Sequence, residues 1–105
     1  MICAHTVRKV KPGMAKQFLD GFTPPMEEEA PPGWVRFNAL RGIEDPDTVV
    51  TFGFFDGTKE EMEAQQAQMG YSERRAQAEE YIDEVISNGV FDVVVEMIPG
   101  AASRA

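Results

Sequence analysis

The spacing of apolar residues divides the chain into alternating strand-like and helix-like segments. Residues 1–10 are rich in β-branched side chains and end at Lys11-Pro12-Gly13, which predicts a first strand. Met14, Phe18 and Phe22 then recur every four residues, the spacing of one face of an amphipathic helix. The chain therefore opens with a strand followed by a helix.

The middle of the chain predicts a helical turn and a β-hairpin. Thr23 followed by Pro24 is typical of a helix start, so we expect residues 26–30 to add a short turn of helix. Residues 33–41 alternate in period two, and residues 48–56 are filled with Val, Thr and Phe. Turn-forming residues separate these two segments, so we expect them to pair as neighbouring strands.

The last third of the chain predicts a broken helix and a final strand. Thr58 and Glu61 have the spacing of a capping box, so a helix is expected to begin there. Gly70 is expected to interrupt it, with a new helix capped by Ser72 that runs along an apolar stripe as far as Asn88-Gly89. The β-branched residues 91–98 then predict the last strand.

This order, β-α-β-β-α-β, is that of an α+β, ferredoxin-like fold with one antiparallel four-stranded sheet and its helices on one face. Residues 1–98 are expected to form the single domain, followed by a tail at 99–105. The predicted strands carry apolar residues on both sides, although helices cover only one side. Because the second face would otherwise stay exposed, we expect a homodimer joined through the sheet faces.

Composition excludes several classes of function. Ten Lys and Arg against eighteen Asp and Glu give a net charge of −8, which argues against nucleic acid and anionic membranes as partners. The single cysteine excludes an internal disulfide, and one cysteine with one histidine cannot build the usual structural zinc site. Because no apolar run approaches the ~20 residues that span a bilayer, we expect a cytoplasmic protein.

Ordered short motifs give the chain a resemblance to a known family. Lys11-Pro12-Gly13-Met14 precedes a helix, Pro32-Gly33-Trp34 opens a strand, and Glu44-Asp45-Pro46-Asp47 leads into the strand that runs to Thr58-Lys59-Glu60-Glu61. In this order they resemble the antibiotic biosynthesis monooxygenase family of the dimeric α+β barrel superfamily. The resemblance implies two protomers packed sheet to sheet, each with an apolar pocket between its own sheet and helices.

The resemblance also implies a function. It favours a cofactor-independent monooxygenase that acts on an aromatic or polyphenolic substrate in the intramonomer pocket. Haem-degrading members bind iron through a histidine on a helix, whereas the only histidine here, His5, lies in the first strand, so no haem and no other cofactor is expected. The alternative is a non-catalytic small-ligand-binding or structural homodimer. A third hypothesis is a lyase or isomerase that acts on a small cyclic substrate.

The candidate catalytic residues lie on the first two strands. His5 changes its charge near neutral pH and could act as a base, or it is a half-buried histidine bonded to a neighbour. Trp34, Arg36 and Asn38 are expected to share one strand face, with Trp34 and Asn38 polarising a phenol and Arg36 binding it. Alternatively, Arg36 pairs with Glu96 and Trp34 anchors the dimer interface.

Two tyrosines complete the set of candidates. Tyr71 at the helix break and Tyr81 on the last helix could orient a phenolic ligand through their hydroxyl groups, and the alternative for each is a residue at the edge of the core. The sequence contains no paired metal-ligand motif, phosphate-binding loop or nucleophile elbow, so no metal site is expected. The expected partner is therefore an apolar or aromatic small molecule.

Overall fold

The computed structural model describes residues 1–22 and 32–100, and the expected turn at 26–30 lies outside them. Its elements are, in chain order, β1 (Ile2–Val10), α1 (Ala15–Phe22), β2 (Trp34–Arg41), β3 (Thr48–Phe55), α2 (Lys59–Gln68), α3 (Tyr71–Ala78), a 3₁₀ turn (Glu79–Tyr81) and β4 (Ile82–Asp92). The expected tail at 99–105 is described only to residue 100, and the domain boundary stays a prediction.

The four strands form one antiparallel sheet in the order β2-β3-β1-β4. β1 is therefore central and pairs with β3 on one side and β4 on the other. This order is that of the ferredoxin-like fold, which confirms the predicted fold class. None of the helices that the structure describes is long and apolar enough to cross a membrane.

Local signals placed the hairpin and the start of α2 correctly. β2 and β3 pair directly, as predicted. The Thr58 hydroxyl accepts from the Glu61 amide at 3.1 Å, and the Glu61 carboxylate accepts from the Thr58 amide at 3.0 Å, which is the predicted capping box. α3 instead has Gly70 as its N-cap, with φ +68° and no side-chain bond, so the expected Ser72 cap is wrong.

The prediction for the end of the chain is wrong. Residues 82–88 belong to a strand rather than a helix, and residues 93–98 lie beyond it without regular secondary structure. Two β-bulges explain the misleading pattern. Three positions on β1 lie two residues apart: Val10, Arg8 and Thr6. Their partners on β4 lie three residues apart: Ile82, Val85 and Asn88. Bulges thus give one strand face a helix-like spacing.

The sheet has a helix-covered face and an open face. The central strands place alternate residues on the helix-covered face: Ile2, Ala4, Thr6, Arg8 and Val10 of β1, and Val49, Thr51, Gly53 and Phe55 of β3. The open face carries the residues between them: Cys3, His5, Val7 and Lys9 of β1, and Val50, Phe52 and Phe54 of β3. In β3 the first set is buried and the second only half-buried.

The hydrophobic core lies entirely on the helix-covered face. One cluster brings α1 and α3 onto the sheet and consists of Val10, Ala15, Phe18, Phe22, Val49 and Ala78. A second cluster brings α2 onto the opposite end of the sheet and consists of Ile2, Trp34, Phe55 and Met62. Met62 is the only fully buried residue of α2, and the half-buried Met69 at the end of the helix packs against the same cluster.

Candidate functional site

A small cavity lies between the helix-covered face and the helices. Its wall combines aromatic rings with a few polar groups: Phe22, Trp34, Phe37, Gln66, Met69, Tyr71 and Arg74. The free space is about 20 Å³, roughly enough for one oxygen-sized group. A second space of similar volume continues along the sheet past Ala4, Thr6 and Thr51. Both spaces lie where the resemblance places an intramonomer pocket.

Gly53 positions the two aromatic rings that floor the cavity. It lies opposite Phe37 in the β2–β3 register, and a Cβ on it would lie 2.8 Å from Trp34 Cζ3 and 2.9 Å from Phe37 Cε2. The missing side chain thus lets both rings lie directly against the sheet. Their centroids are 5.5 Å apart, and Trp34 also meets Phe55 edge-on at 5.2 Å.

The structure separates residues that the sequence predicted on one face. A bulge after Trp34 makes Val35 the extra residue, because Trp34 pairs with Phe55 while Arg36 pairs with the preceding Phe54. The alternation therefore restarts at Arg36. Trp34 points to the helix-covered face, and Arg36 and Asn38 belong to the open face. The prediction that these three residues share one face is wrong.

Two N–H groups of the cavity wall are buried without a hydrogen-bond partner among the described residues. They are Nε1 of Trp34 and Nε of Arg74. Trp34 is 6% exposed, so its indole N–H cannot turn to bulk water. Arg74 also donates through a terminal nitrogen to the carbonyl of Met69, which holds its guanidinium at the end of α2. A buried donor without an acceptor is unusual in native proteins and calls for a partner such as an ordered water or a bound ligand.

Behind this wall lies a buried arginine. Arg8 of β1 is 3% exposed and donates to the Thr51 hydroxyl at 2.8 Å. Its guanidinium carbon lies 5.3 Å from the Phe18 ring centroid and 4.7 Å from that of Phe22. Burial lowers the pKa of Arg8, and its electrostatic interaction with Tyr71 opposes that shift. None of the ion pairs among the described residues involves Arg8.

The open face holds the other candidate residues. His5 stacks on Phe52 and meets Phe91 edge-on, each with ring centroids 6.2 Å apart. The guanidinium carbon of Arg36 lies 5.0 Å from the Phe54 centroid, and the ion pairs of the described residues do not include the alternative Arg36–Glu96 pair. His5 and Arg36 therefore face away from the cavity.

Two further polar groups lie on this face. Burial raises the pKa of the Cys3 thiol, and the charge of Arg36 partly offsets that rise. Asn38 carries a buried side-chain oxygen without a partner among the described residues. The sheet thus keeps Asn38 and Trp34 on opposite sides.

The two candidate tyrosines lie in different places. Tyr71 is in the cavity wall, where its ring meets Phe22 edge-on at 5.9 Å. Tyr81 lies on the 3₁₀ turn and packs against the first core cluster, outside the wall of the cavity. Its pKa is raised chiefly by a hydrogen bond to Glu80 and by the charge of that carboxylate. The structure therefore brings Trp34 and Tyr71 together and leaves Tyr81 apart.

Comparison with solved structures identifies the fold of the chain. A provisionally named antibiotic biosynthesis monooxygenase from Chloroflexus aurantiacus superposes with a TM-score of 0.75 at 14% identity, covering 91% of this chain and 95% of the other. Its counterpart from Nitrosomonas europaea gives 0.74 at 17% identity, covering 90% and 100%. The chain has the antibiotic biosynthesis monooxygenase fold. This confirms at the level of the fold the resemblance that the sequence predicted.

A third structure with this monooxygenase fold comes with a named activity. A variant of SnoaB, a cofactor-independent oxygenase from Streptomyces nogalater, superposes with a TM-score of 0.66 at 16% identity, covering 93% of this chain and 96% of the other. No family model and no curated protein sequence matches this chain. At these identities the monooxygenase likeness concerns the fold.

Sequence reasoning missed three polar residues near the cavity. Arg8 shares the period-two face of Ile2, Thr6 and Val10, and this alternation could have identified an arginine among buried positions. Arg74 lies three residues after Tyr71 and four before Ala78, so it shares their helix face. Gln66 carried no comparable signal.

The described residues contain no group of three or more His, Cys, Asp or Glu side chains that could hold a metal ion. The two unpartnered groups of the wall, in Trp34 and Arg74, are N–H groups, which are hydrogen-bond donors rather than metal ligands. These two groups can bind an acceptor oxygen.

Proposed function

We propose that the chain binds an aromatic small molecule in the cavity under α2 and α3 and oxygenates it without a cofactor. The observation that carries this proposal is the indole N–H of Trp34, which is buried in a wall of aromatic rings and has no partner among the described residues. Such a wall suits a flat apolar ligand that presents one polar group to the donor. The fold shared with SnoaB supports oxygenation as the reaction.

Cofactor-independent oxygenation requires few reactive groups from the protein, because the substrate itself supplies the electrons. The substrate anion supplies the electrons that reduce O₂, a carbon–oxygen bond forms, and loss of water from the hydroperoxide leaves a carbonyl. One oxygen atom then enters the product and the other leaves as water. The protein has to hold the anion beside O₂ and keep bulk water out. Trp34 would donate to the substrate oxygen, while Phe22 and Phe37 would exclude water.

The cavity must widen to accept a ring system. Its present volume of about 20 Å³ holds no more than a small group. α2 is the element expected to move, because Met62 is its only fully buried side chain, and burial of one such side chain is worth about 1.5–3 kcal/mol. Gly70, in the left-handed region between α2 and α3, provides a natural hinge. Substrate binding is therefore expected to displace α2 from the sheet.

Activity is tested with 1,8-dihydroxyanthrone, a polyphenolic probe whose oxidation is followed by oxygen uptake and by absorbance. We expect turnover by the wild-type chain and a loss of about 10- to 1000-fold in Trp34→Phe, which keeps an aromatic ring and removes the N–H donor. Circular dichroism would verify that the variant is folded. Equal rates in the two proteins, or a rate no higher than that without protein, would contradict oxygenation at this site.

We also propose that two copies pack through their open faces. Phe91 on this face is 53% exposed, Phe52 and Phe54 are half-buried, and the Asn38 oxygen lacks a partner. A second copy would cover the rings and offer that oxygen a donor. His5, Arg36 and Asn38 would then lie in the interface. The alternative function, a non-catalytic ligand-binding or structural homodimer, requires the same interface. A cytoplasmic location stays an expectation from the sequence.

Light scattering distinguishes a dimer from a monomer of 11.7 kDa. We expect Phe91→Glu to dissociate the dimer, because it places a charge in an apolar contact. Ile43→Glu is the matched control, since Ile43 is 98% exposed in the β2–β3 turn and away from the open face. A wild-type monomer at micromolar concentration would contradict the proposal.

A further inference from the structure

We propose that His5 makes the association of two copies dependent on pH. The copies pack together while the imidazole is neutral and separate when it takes up a proton. This regulation rests on the proposed function, because it acts on the packing of the open faces. It adds the group that controls the packing, and it gives the only histidine of the chain a role outside the cavity.

The first observation is the central position of His5 on the open face. One row of paired residues crosses all four strands and consists of Asn38, Phe52, His5 and Gly89. This row lies near the middle of the two central strands, β1 and β3. When two such faces cover one another about a two-fold axis, the middle of one packs on the middle of the other. His5 then lies inside the contact rather than at its hydrated rim.

The second observation is the aromatic surroundings of His5. The imidazole stacks on Phe52 with an interplanar angle of 28° and meets Phe91 edge-on at 80°. Gly89, opposite His5, leaves room for the Phe91 ring, since a Cβ on Gly89 would lie 3.0 Å from Phe91 Cζ. In one copy the imidazole is half-buried, so solvent still hydrates its charged form. A second copy would remove that water and leave aromatic rings in its place.

The third observation is that no described carboxylate lies beside His5. The adjacent positions of β1 on this face are Cys3 and Val7, and burial raises the pKa of the Cys3 thiol, so it stays neutral. β3 contributes only apolar residues to the open face, and none of the ion pairs among the described residues contains His5. On β4, Glu84 lies opposite Lys9, four residues or about 13 Å from His5 along the strand. The charged groups of this face lie toward its ends and edges: Lys9, Arg36, Glu84, Glu96 and the N-terminus.

These surroundings determine how protonation affects the dimer. Burial without an acidic partner disfavours the charged form of an imidazole, so the dimer takes up protons less readily than the separated copies. Attraction between an imidazolium and the rings of Phe52 and Phe91 does not reverse this, because both rings accompany His5 in the separated copies as well. The dimer is therefore expected to weaken as the pH falls through the histidine range. Since each dimer buries two imidazoles, its dissociation constant should rise by up to about 100-fold per pH unit.

Sedimentation equilibrium of the full chain measures the dissociation constant as a function of pH. We expect a dimer at pH ~7.5 whose affinity is about 100-fold lower at pH ~5.5, with circular dichroism showing that the separated copies stay folded. His5→Gln keeps a polar side chain that does not titrate, so its affinity should be the same at both pH values. Glu84→Gln is the matched control, because it removes a carboxylate of the same face and should weaken with acid as the wild type does.

Three outcomes would overturn the role of His5. They are a wild-type affinity that is equal at both pH values, a loss of affinity only below pH ~5, where carboxylates titrate, and an equal response of His5→Gln and wild type. If His5→Gln does not fold, the pH range of the wild-type transition decides, because the histidine and carboxylate ranges are separate. A wild-type dimer that does not respond to pH would refute the role of His5 alone. A wild-type monomer at both pH values would refute the proposed packing of the open faces as well.

Discussion

Replacing Gly53 by alanine tests whether the cavity floor depends on a missing side chain. The added Cβ would meet Trp34 Cζ3 at 2.8 Å and Phe37 Cε2 at 2.9 Å, closer than nonbonded carbons approach. Neither ring can move freely, because Trp34 is packed on Phe55 and is only 6% exposed. The substitution must therefore push both rings off the sheet or bend β3.

The expected cost follows from two opposing effects. Overpacking a core by one methyl group costs about 1–3 kcal/mol. The φ of Gly53 is not in the left-handed region, so alanine also gains about 0.4–1 kcal/mol by restricting the unfolded chain. Taken at the middle of each range, the difference predicts that Gly53→Ala lowers the free energy of unfolding by about 1.3 kcal/mol. For a domain of this size that corresponds to a fall in Tm of roughly 5–10 °C.

Urea denaturation followed by tryptophan fluorescence measures this effect at the site itself, because Trp34 is the only tryptophan of the chain. We expect a lower midpoint and a changed emission maximum of the folded variant. Gly21→Ala is the control, since a Cβ at this exposed position of α1 meets no atom of the described residues within 4 Å and should stabilise by about 0.5–1 kcal/mol. If Gly53→Ala stabilised the protein as Gly21→Ala does, with unchanged emission, the close-packing argument would be refuted.

Two further predictions concern local hydrogen bonds. Thr58→Ala should lower the free energy of unfolding by about 1 kcal/mol because it removes the capping box of α2, whereas Ser72→Ala, which removes no cap, should be close to neutral in the same urea titration. The pKa of Asp45 is lowered by the backbone N–H of Asp47 and by bonds from Lys9 and Thr48. The ionised Asp45 therefore stabilises the fold at a pH above the ordinary aspartate pKa range, and this contribution is lost as the pH falls below that range. Acid should then reduce the difference in free energy of unfolding between wild type and Asp45→Asn. A gap independent of pH would show that these bonds do not favour the carboxylate.

The positions of most elements could be predicted because their signals are local. The hairpin follows from two alternating segments joined by turn residues, and the start of α2 follows from a threonine and a glutamate three residues apart. The candidate site was predicted less well. Trp34 and Tyr71 were identified as separate candidates, and the structure brings them into one wall. Arg74 was missed, because an arginine on an amphipathic helix is ordinarily a solvent-exposed residue.

What the sequence by itself determined is the order and type of the elements up to α3, the apolar character of both sheet faces and the absence of an internal disulfide. What only the tertiary structure decided is which residues face one another. Bulges in β2 and β4 shift the alternation by one residue, which moves Trp34 away from Asn38 and gives residues 82–88 a helical spacing. A bulge forms because pairing with the neighbouring strand favours it. That strand is distant in sequence, so no local pattern reveals the shift.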